Sequence, residues 1–446
     1  MTAAPVMTAR RSAADAVRPI VRALLGTDDP PLRIEFWDGS ALGADASGAK
    51  VVVRSPLAVR RLMYAPNELG LGRAFVAGEL DVEGDVFEAL ALRDIVADRN
   101  EHLEIGMSLM ALPDAVRAAR ELGVLGKPLP PPPEEARLTG RRHSRERDAQ
   151  AISHHYDVGN DFYSLFLGRT MTYSCAYFAR AGMTLDEAQE AKYDLVCRKL
   201  GLEPGMRMLD VGCGWGGLVM HAARHYGVRA VGVTVAREQA ELASKRVAEA
   251  GLAGSVEIRL QDYRDIDDGP YDAISSIGMF EHVGLERLGE YFDKLRVLVR
   301  PQGRVLNHGI SRPPAAKRRF SLAGRDAQRF DKRSFIERYV FPDGELHEVG
   351  TVVSSMQQHG LEVRDVQSLR EHYALTLRCW VANLQSHWDE AVRYAGQARA
   401  RVWLLYMAGS ALNFEHARTS IHQVLAVKSD GSGASGMPLT RASYLA

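Results

Sequence analysis

The feature that most constrains the fold is the regular alternation of apolar strands and helices between residues 208 and 306. Such alternation is typical of an open parallel sheet with helices on both faces. The predicted strands cover residues 208–211, 230–233, 256–260, 271–277 and 304–306, and the predicted helices cover residues 218–226, 238–250 and 288–298. The sequence therefore predicts a doubly wound α/β fold for this part of the chain.

A run of prolines, Pro130 to Pro133, interrupts the chain upstream of that sheet. Proline fits neither a helix interior nor a central strand, so we expect a stiff, extended connector here. We place this linker at residues 127–149, between a smaller α+β domain at 1–126 and the α/β domain at 150–428. The glycines and serines after Ser429 predict a flexible tail over residues 429–446.

In the upstream domain, apolar and alternating residues predict strands at 32–36, 50–54 and 75–82. Ser55 and Pro56 predict the start of a helix, with serine at the N-cap and proline at the first helical position. No pattern in this domain indicates catalysis. We interpret it as a structural support or as a small lipid-holding domain.

The composition excludes several classes of protein. The chain has 56 Lys+Arg and 56 Asp+Glu, a formal net charge of +0, whereas proteins that bind a nucleic-acid backbone are usually far more basic. No apolar run reaches the roughly 18 residues that span a bilayer, and charged residues interrupt the N-terminus, so no signal peptide is predicted. We therefore expect a cytoplasmic protein without a nucleic-acid partner. Its 4 cysteines form no Cys-x-x-Cys pair, so no metal site is predicted.

A glycine-rich loop, Gly212 to Gly217, follows the first strand of the predicted sheet. Glycines let a backbone approach a ligand closely, and ligands of open α/β sheets bind beyond the carboxyl ends of the strands. The spacing departs from the dinucleotide-binding fingerprint, and Thr234 stands where an acidic partner of a ribose would end the second strand. By itself, the loop predicts a nucleoside site without identifying the ligand.

Together with other segments, the loop sequence LDVGCGWGG at 209–217 resembles the first motif of class I S-adenosylmethionine-dependent methyltransferases. Six further segments resemble the cyclopropane-fatty-acyl-phospholipid synthase family, which includes the mycolic acid cyclopropane synthases. They are HYDVGNDFY at 155–163, TYSCAYF at 172–178, GMFEHVG at 278–284, NHGI at 307–310, YVFP at 339–342 and HYALTL at 372–377. The resemblance implies a class I methyltransferase, Rossmann-like sheet with S-adenosylmethionine as cofactor. The upstream domain is similar to the extra N-terminal domain of longer bacterial members.

The resemblance also implies which residues hold the cofactor. They are Gly212 and Gly214 at the methionine end, Tyr173 and Ser174 over the carboxylate and sulfonium, Thr234, Val235 and Gln239 at the ribose, and Asp262 and Tyr263 at the adenine. Taken from the sequence alone, Tyr263 would be interpreted as an ordinary packing residue.

The family's chemistry is the methylation of an alkene, in which the π bond attacks the activated methyl group and the neighbouring carbon becomes a cation. Such a site has to exclude water and to hold a base near the new methyl group. The resemblance implies that bicarbonate is this base, held by Cys175, Glu281, His308, Ile310 and Tyr373. Cys175 and Ile310 are expected to contribute backbone groups, and the ion is expected to donate its proton to Glu281. Singly, each position has a structural interpretation; their ordered combination favours the functional one.

The resemblance thus implies a C-methyltransferase that acts on the cis double bond of unsaturated acyl chains, most readily those of phospholipids. A basic segment at 312–333 is typical either of a solvated loop or of peripheral contact with the inner face of a membrane, and the nearby Phe320, Phe330 and Phe335 favour the membrane. Direct proton loss from the cation gives a cyclopropane, whereas a prior hydride shift gives a methylene group, for which a reductase partner is expected. A homodimer is a further expectation.

Two other classes of protein stay open. A small-molecule or RNA methyltransferase explains the nucleoside loop but leaves the motifs at 155–178 and 308–373 unexplained. A lipid carrier with a degenerate nucleoside fold predicts no affinity for the cofactor.

Overall fold

A computed structural model of the chain describes residues 11–25, 27–44, 48–65, 67–99, 112–136, 138–140, 147, 150, 158–314 and 334–445. The chain divides into two compact units. The first comprises Met1–Glu135, Arg333–Phe335 and Gln397–Gly409, and the second comprises Ala136–Lys332, Ile336–Gly396 and Ser410–Ala446. The first unit includes residues 397–409, which the sequence pattern places in the downstream domain. The predicted linker at 127–149 stays a prediction.

The first unit contains a small four-stranded sheet and several helices. The strands are β1 (Arg33–Phe36), β2 (Ala41–Leu42), β3 (Ala49–Val53) and β4 (Leu80–Gly84), in the order β2-β1-β3-β4. The helices are α1 (Ala13–Leu25), α2 (Leu57–Tyr64), α3 (Glu68–Val76), α4 (Val86–Arg99) and α5 (Leu112–Glu121). β1 and β3 are parallel, and the other two pairs are antiparallel.

The predicted strand at 75–82 is wrong in its first half, because α3 continues through Val76 and β4 begins only at Leu80. The side chain of Asn67 caps α3 by accepting a hydrogen bond from the backbone N–H of Gly70 at 3.2 Å. Phe75 and Val76 are both buried, so an apolar run that suits a strand serves here as the buried face of a helix. The predicted start of α2 at Ser55 is confirmed to within one residue, since the Ser55 hydroxyl accepts from the N–H of Leu57.

The second unit contains a seven-stranded sheet that confirms the predicted α/β class. Its strands are β5 (Arg207–Val211), β6 (Arg229–Thr234), β7 (Val256–Leu260), β8 (Tyr271–Ile277), β9 (Val299–Ser311), β10 (Glu362–Ser368) and β11 (Ser420–Val427). The order is β10-β11-β9-β8-β5-β6-β7. Strands β5 to β9 are parallel, and β11 is antiparallel to both β9 and β10.

The remaining helices follow in chain order. They are α6 (Asn160–Leu167), α7 (Leu185–Leu200), α8 (Gly217–Tyr226), α9 (Arg237–Glu249), α10 (Leu288–Leu298), α11 (Phe335–Tyr339), α12 (Val349–Gln358), α13 (Arg370–Ser386), α14 (Trp388–Ala395), α15 (Gln397–Glu415) and α16 (Ala442–Leu445). Short 3₁₀ turns cover Tyr263–Asp265, Phe280–His282 and Leu285–Arg287.

Apolar layers cover both faces of the large sheet. Leu209 and Val211 of β5 pack in one layer with Phe292, whereas Met208 packs in the other layer with Val219. Successive side chains of a strand point to opposite faces, so a strand buried on both faces has a continuous apolar sequence. This explains why β5 could be predicted from a short apolar run.

The segment after Ser429 makes specific contacts in the second unit. Tyr444 is buried against α7, and its carbonyl oxygen accepts a hydrogen bond from Arg198 at 3.2 Å. Arg441 forms an ion pair with Asp365 at 2.8 Å. These contacts follow from single side chains within a glycine- and serine-rich stretch, which composition does not show; the flexibility of the tail stays a prediction.

Candidate active site

The glycine loop lies where the order of the strands reverses, because β5 is flanked by β6 on one side and β8 on the other. Gly212 and Gly214 have φ angles of 81° and 54°, in the left-handed region that glycine adopts without strain. The backbone N–H groups of Gly212 and Cys213 both donate to the carbonyl of Val233. A β-carbon added at Gly214 would meet no described atom within 4 Å. Among the described residues, the loop therefore leaves space beside Gly214, at the point where ligands of such sheets bind.

The residues predicted at the ribose lie at the end of the next strand. Thr234 ends β6, and its hydroxyl donates to the side-chain oxygen of Gln239 at 2.9 Å while accepting from the N–H of Ala236. Thr234 and Gln239 are buried, whereas Val235 is 42% exposed. The structure thus brings Thr234 and Gln239 together beside an accessible Val235.

The residues predicted at the adenine have partners of their own. The carboxylate of Asp262 accepts from the backbone N–H of Arg264 at 2.9 Å and from its guanidinium at 2.8 and 2.6 Å. The ring of Tyr263 is buried and packs edge-on against Tyr291, with centroids 5.2 Å apart. Tyr263 therefore does serve as a packing residue, as the sequence alone suggested. Contact of Asp262 or Tyr263 with adenine stays a prediction.

Residues 172–178, which we call the strap, are fixed between two helices. The N–H of Tyr177 donates to the carbonyl of Ala188 in α7. From the other side, the N–H of Ala176 donates to the hydroxyl of Thr376 at 3.0 Å, and that of Phe178 donates to the ring of His372 at 3.1 Å, both in α13. The strap therefore positions the predicted site residues 173–175.

An aromatic cluster connects the glycine loop to the predicted base site. Tyr163 lies 5.0 Å from Trp215 and 5.7 Å from Tyr173, measured between ring centroids. Tyr173 stacks on Trp380 at 5.3 Å, and Trp380 meets the edge of Tyr373 at 6.0 Å. The aromatic cluster thus contacts both the residues predicted for the cofactor and those predicted for the ion.

Glu281 lies in the 3₁₀ turn after β8 and is buried. Its Oε1 accepts a hydrogen bond from the backbone N–H of Ile310 at 2.7 Å, whereas its Oε2 has no partner among the described residues. Burial raises the pKa of this carboxyl from 4.5 to about 7, although the bond from Ile310 opposes the shift. Near neutral pH, this carboxyl can therefore gain or lose a proton.

His308 is buried in β9, beside Gln423 of β11. The side-chain nitrogen of Gln423 lies 3.4 Å from Nδ1 of His308, while Nε2 has no partner in the described part of the chain. Burial, followed by the charges of Lys192 and Lys199, lowers the pKa of His308 well below 6.5. The ring is therefore neutral, with one nitrogen free to bond a ligand.

Cys175 and Tyr373 meet at a shared carbonyl group. The oxygen of Leu369 accepts from the backbone N–H of Tyr373 at 3.1 Å and lies 3.7 Å from Sγ of Cys175. Cys175 is fully buried, and burial raises the pKa of its thiol. A nucleophilic thiolate is thus disfavoured. The ring of Tyr373 packs 4.7 Å from that of Phe414.

Three polar residues of α7 did not emerge from the sequence, although they hold the strap. Gln189 donates to the carbonyl of Ser174 at 2.9 Å, Lys192 donates to its hydroxyl at 3.0 Å, and the hydroxyl of Tyr193 bonds that of Thr172. Positions 189, 192 and 193 lie on one helix face. The buried side of α7 is largely apolar but also carries Lys199, so the polar residues at its buried positions were the signal that the sequence offered. Gln423 was missed because β11 was not predicted.

The raised pKa of Glu281 predicts a dependence of stability on pH. Between the unfolded value of 4.5 and the folded value of about 7, the folded state binds the extra proton, so the contribution of this group falls as pH rises through that window. Relative to Glu281→Gln, the wild type should lose about 2 kcal/mol of unfolding free energy between pH 5.5 and 8. Urea unfolding at both pH values measures it. A constant difference between the two proteins would contradict the prediction.

The profile of the mycolic acid cyclopropane synthetase family matches residues 143–424. The chain belongs to this family. The chain is 43% identical over 430 residues to a probable fatty acid methyltransferase of Mycobacterium tuberculosis, covering 94% of this chain and 96% of that protein. It is 33% identical over 403 residues to the tuberculostearic acid methyltransferase UfaA1 of the same species, covering 88% of this chain and 87% of UfaA1.

A solved structure of the synthetase family supports the same assignment. The mycolic acid cyclopropane synthase CmaA1, complexed with SAH (S-adenosylhomocysteine) and CTAB, is 36% identical, with a TM-score of 0.57. The match covers 62% of this chain and 97% of that chain. The chain is therefore an S-adenosylmethionine-dependent methyltransferase, and the predicted family and fold class are confirmed.

Much of the predicted membrane-facing surface falls on residues 315–333, outside the described residues, as do residues 155–157 of the first family motif. Arg312, at the start of the basic segment, donates to the carbonyl of Leu346 at 3.1 Å. In the parts of the chain that are described, every helix is too short or too polar to cross a membrane.

Proposed function

We propose that this methyltransferase transfers the methyl group of S-adenosylmethionine to the cis double bond of unsaturated acyl chains in phospholipids. Lipid substrates are suggested by the names of its relatives, a fatty acid methyltransferase and a cyclopropane synthase. The chain would act at the inner face of the membrane, from the cytoplasm. Methyl transfer to an alkene leaves a cation, so the residues around it have to exclude water and hold a base.

The observation that carries this proposal is a pair of unsatisfied polar atoms at the predicted base site. Oε2 of Glu281 and Nε2 of His308 are buried without a hydrogen-bond partner in the described residues. Buried polar groups are normally bonded, and leaving one unpaired costs about 1–3 kcal/mol. A small ion with both a proton to donate and oxygens to accept would satisfy both atoms.

Bicarbonate has that combination of groups, and when bound it would supply the base that removes the methyl proton. Glu281 would accept its proton, and the neutral ring of His308 would donate through Nε2. Tyr373 and the backbone around Cys175 would complete the site. Ile310 would act through Glu281, because its N–H is already bonded to that carboxylate.

The aromatic cluster supports the carbocation chemistry. Trp380 and Tyr163 are fully buried, and Tyr373 is 5% exposed. Such a wall keeps water from a cation that it would otherwise trap as an alcohol. A small-molecule or RNA methyltransferase, the other enzyme class that the sequence left open, requires no such water-free surroundings.

Two products are compatible with this site. Direct loss of the methyl proton closes a cyclopropane, as the name of CmaA1 suggests. A hydride shift before proton loss gives a methylene group and, with a reductase partner, a methyl branch. Resemblance to UfaA1, named as a tuberculostearic acid methyltransferase, favours this second product as the alternative.

Lipid analysis tests the proposal. We expect cells that are rich in oleoyl lipids and express the chain to accumulate acyl chains heavier by one CH₂. Fragmentation in the mass spectrometer then distinguishes a ring from a methylene group. Unchanged lipids, despite folded protein that binds SAH in calorimetry, would contradict the proposed substrate.

A further inference from the structure

Lys192 is a buried ammonium group with few partners. It is 1% exposed, and its Nζ donates to the hydroxyl oxygen of Ser174 at 3.0 Å. That oxygen is the one acceptor within hydrogen-bond distance among the described residues. Nζ also lies over the face of the Tyr193 ring, 4.5 Å from the ring centroid. Because an ammonium has three N–H donors, this arrangement leaves donors without an acceptor.

The charge of Lys192 is not neutralised by a close partner either. No described carboxylate lies within ion-pair distance of Nζ. Asp210 acts on it from farther away, and its own Oδ1 accepts a hydrogen bond from Ser275 at 2.6 Å. Burial lowers the pKa of Lys192 to about 8 and raises that of Asp210 to about 6. An uncompensated buried charge is costly, so an anionic group nearby would stabilise it.

The direction of the hydrogen bond also constrains Ser174. An ammonium can only donate, so the Ser174 oxygen accepts and its own O–H has to point elsewhere. Ser174 lies on the strap at the predicted methionine end of the cofactor, and Asp210 precedes Gly212 by two residues in β5. A carboxylate at that end would meet an oriented hydroxyl donor with a positive charge behind it.

We propose that Lys192 is a positioning residue for the carboxylate of S-adenosylmethionine. Its ammonium turns the O–H of Ser174 towards the carboxylate and supplies the balancing charge. The inference rests on the proposed cofactor site, in which Ser174 covers the methionine end. It adds the residue that gives this site its preference for a cofactor with a carboxylate.

The test compares two ligands by titration calorimetry. SAH carries the carboxylate, whereas methylthioadenosine keeps the nucleoside and thioether but lacks the amino-acid group. For Lys192→Met, we expect the affinity for SAH to fall about 10- to 100-fold, as for loss of a charge-assisted hydrogen bond. The affinity for methylthioadenosine should change less than about threefold, because its contacts do not involve the carboxylate.

Lys199 provides a matched control on the same helix. It is also fully buried, and it bonds Gln367 and pairs with Asp365 at 3.4 Å. Lys199→Met should leave the ratio of the two affinities unchanged. An equal loss for both ligands in Lys192→Met, or an unchanged affinity for SAH, would overturn the inference. If the wild type bound neither ligand, that result would contradict the proposed cofactor site itself, and with it the inference about Lys192.

A second variant keeps the test decisive if Lys192→Met does not fold. Ser174 is partly exposed, so Ser174→Ala removes the hydroxyl without opening a buried cavity. The proposal expects Ser174→Ala to lower the affinity for SAH and to spare methylthioadenosine. An unchanged ratio of the two affinities in this variant would refute the proposed role of Lys192.

Discussion

Glu281→Gln should lower turnover by about 10²- to 10⁴-fold, the range expected for loss of a group that handles a proton in the reaction. The amide oxygen can still accept from the N–H of Ile310, as Oε1 does at 2.7 Å. An amide cannot take a proton from bicarbonate, so the ion would no longer be held as a base. The affinity for SAH should stay within about threefold, because Glu281 is not among the proposed cofactor residues. Single-turnover kinetics and calorimetry measure the two quantities separately.

Glu345 offers a matched control for this variant. It is buried like Glu281, its carboxylate accepts from the N–H of Leu285 at 2.9 Å, and its own N–H donates to the carbonyl of Glu281. Glu345→Gln should therefore retain turnover to within a few-fold. Full activity in Glu281→Gln would show that the Glu281 carboxyl group is not needed for the reaction and would contradict its proposed role in holding the base.

Gly309→Ala should destabilise the fold by about 3 kcal/mol, at the upper end of the usual cost of overpacking. Gly309 lies in β9 between His308 and Ile310, and an added β-carbon would overlap the ring of Phe280. That ring is fully buried and cannot move without displacing its neighbours. Because Glu281 directly follows Phe280 in the chain, a displaced Phe280 should also displace this carboxyl group, and turnover should fall as well. Thermal unfolding and activity assays measure both effects.

Two further variants separate this cause from a general effect of losing a glycine. Phe280→Leu in the Gly309→Ala background should recover part of the lost stability, because a shorter side chain makes room. Gly350→Ala, in α12, should cost nothing, since its β-carbon would meet no described atom within 4 Å and alanine favours helix. If Gly309→Ala unfolded at the same temperature as the wild type, contact with Phe280 would not be what requires glycine at this position.

The fold class could be predicted because the information is local. Central strands such as β5 are buried on both faces, so a short apolar run such as 208–211 marks them directly. The edge strand β7 instead alternates apolar with charged residues. The structure reproduces the predicted bounds 256–260 and 271–277. The strand predicted at 75–82 failed for a related reason. A short apolar run shows neither the helical nor the strand periodicity of hydrophobic residues, so its packing in the folded chain decides which of the two it forms.

The polar contacts of the site could not be predicted because they join distant residues. His308 meets Gln423 across 115 positions, and the strap meets Thr376 across 200 positions. Motifs found by resemblance contained His308, Ala176 and Thr376 but not Gln423, and they did not show which residues are in contact. Lys192 and Gln423 had to come from the structure, since their significance depends on which groups surround them.

The position of β11 in the sheet has a consequence for synthesis on the ribosome. β11 is formed by Ser420–Val427, yet it lies between β9 and β10, which are translated much earlier. Until the last residues of β11 leave the exit tunnel, the nascent chain carries β9 with a bare edge and His308 without Gln423. An unpaired edge can recruit another chain. The covering of this edge and the placing of Gln423 beside His308 therefore both depend on a strand that is translated after every other described strand of the sheet.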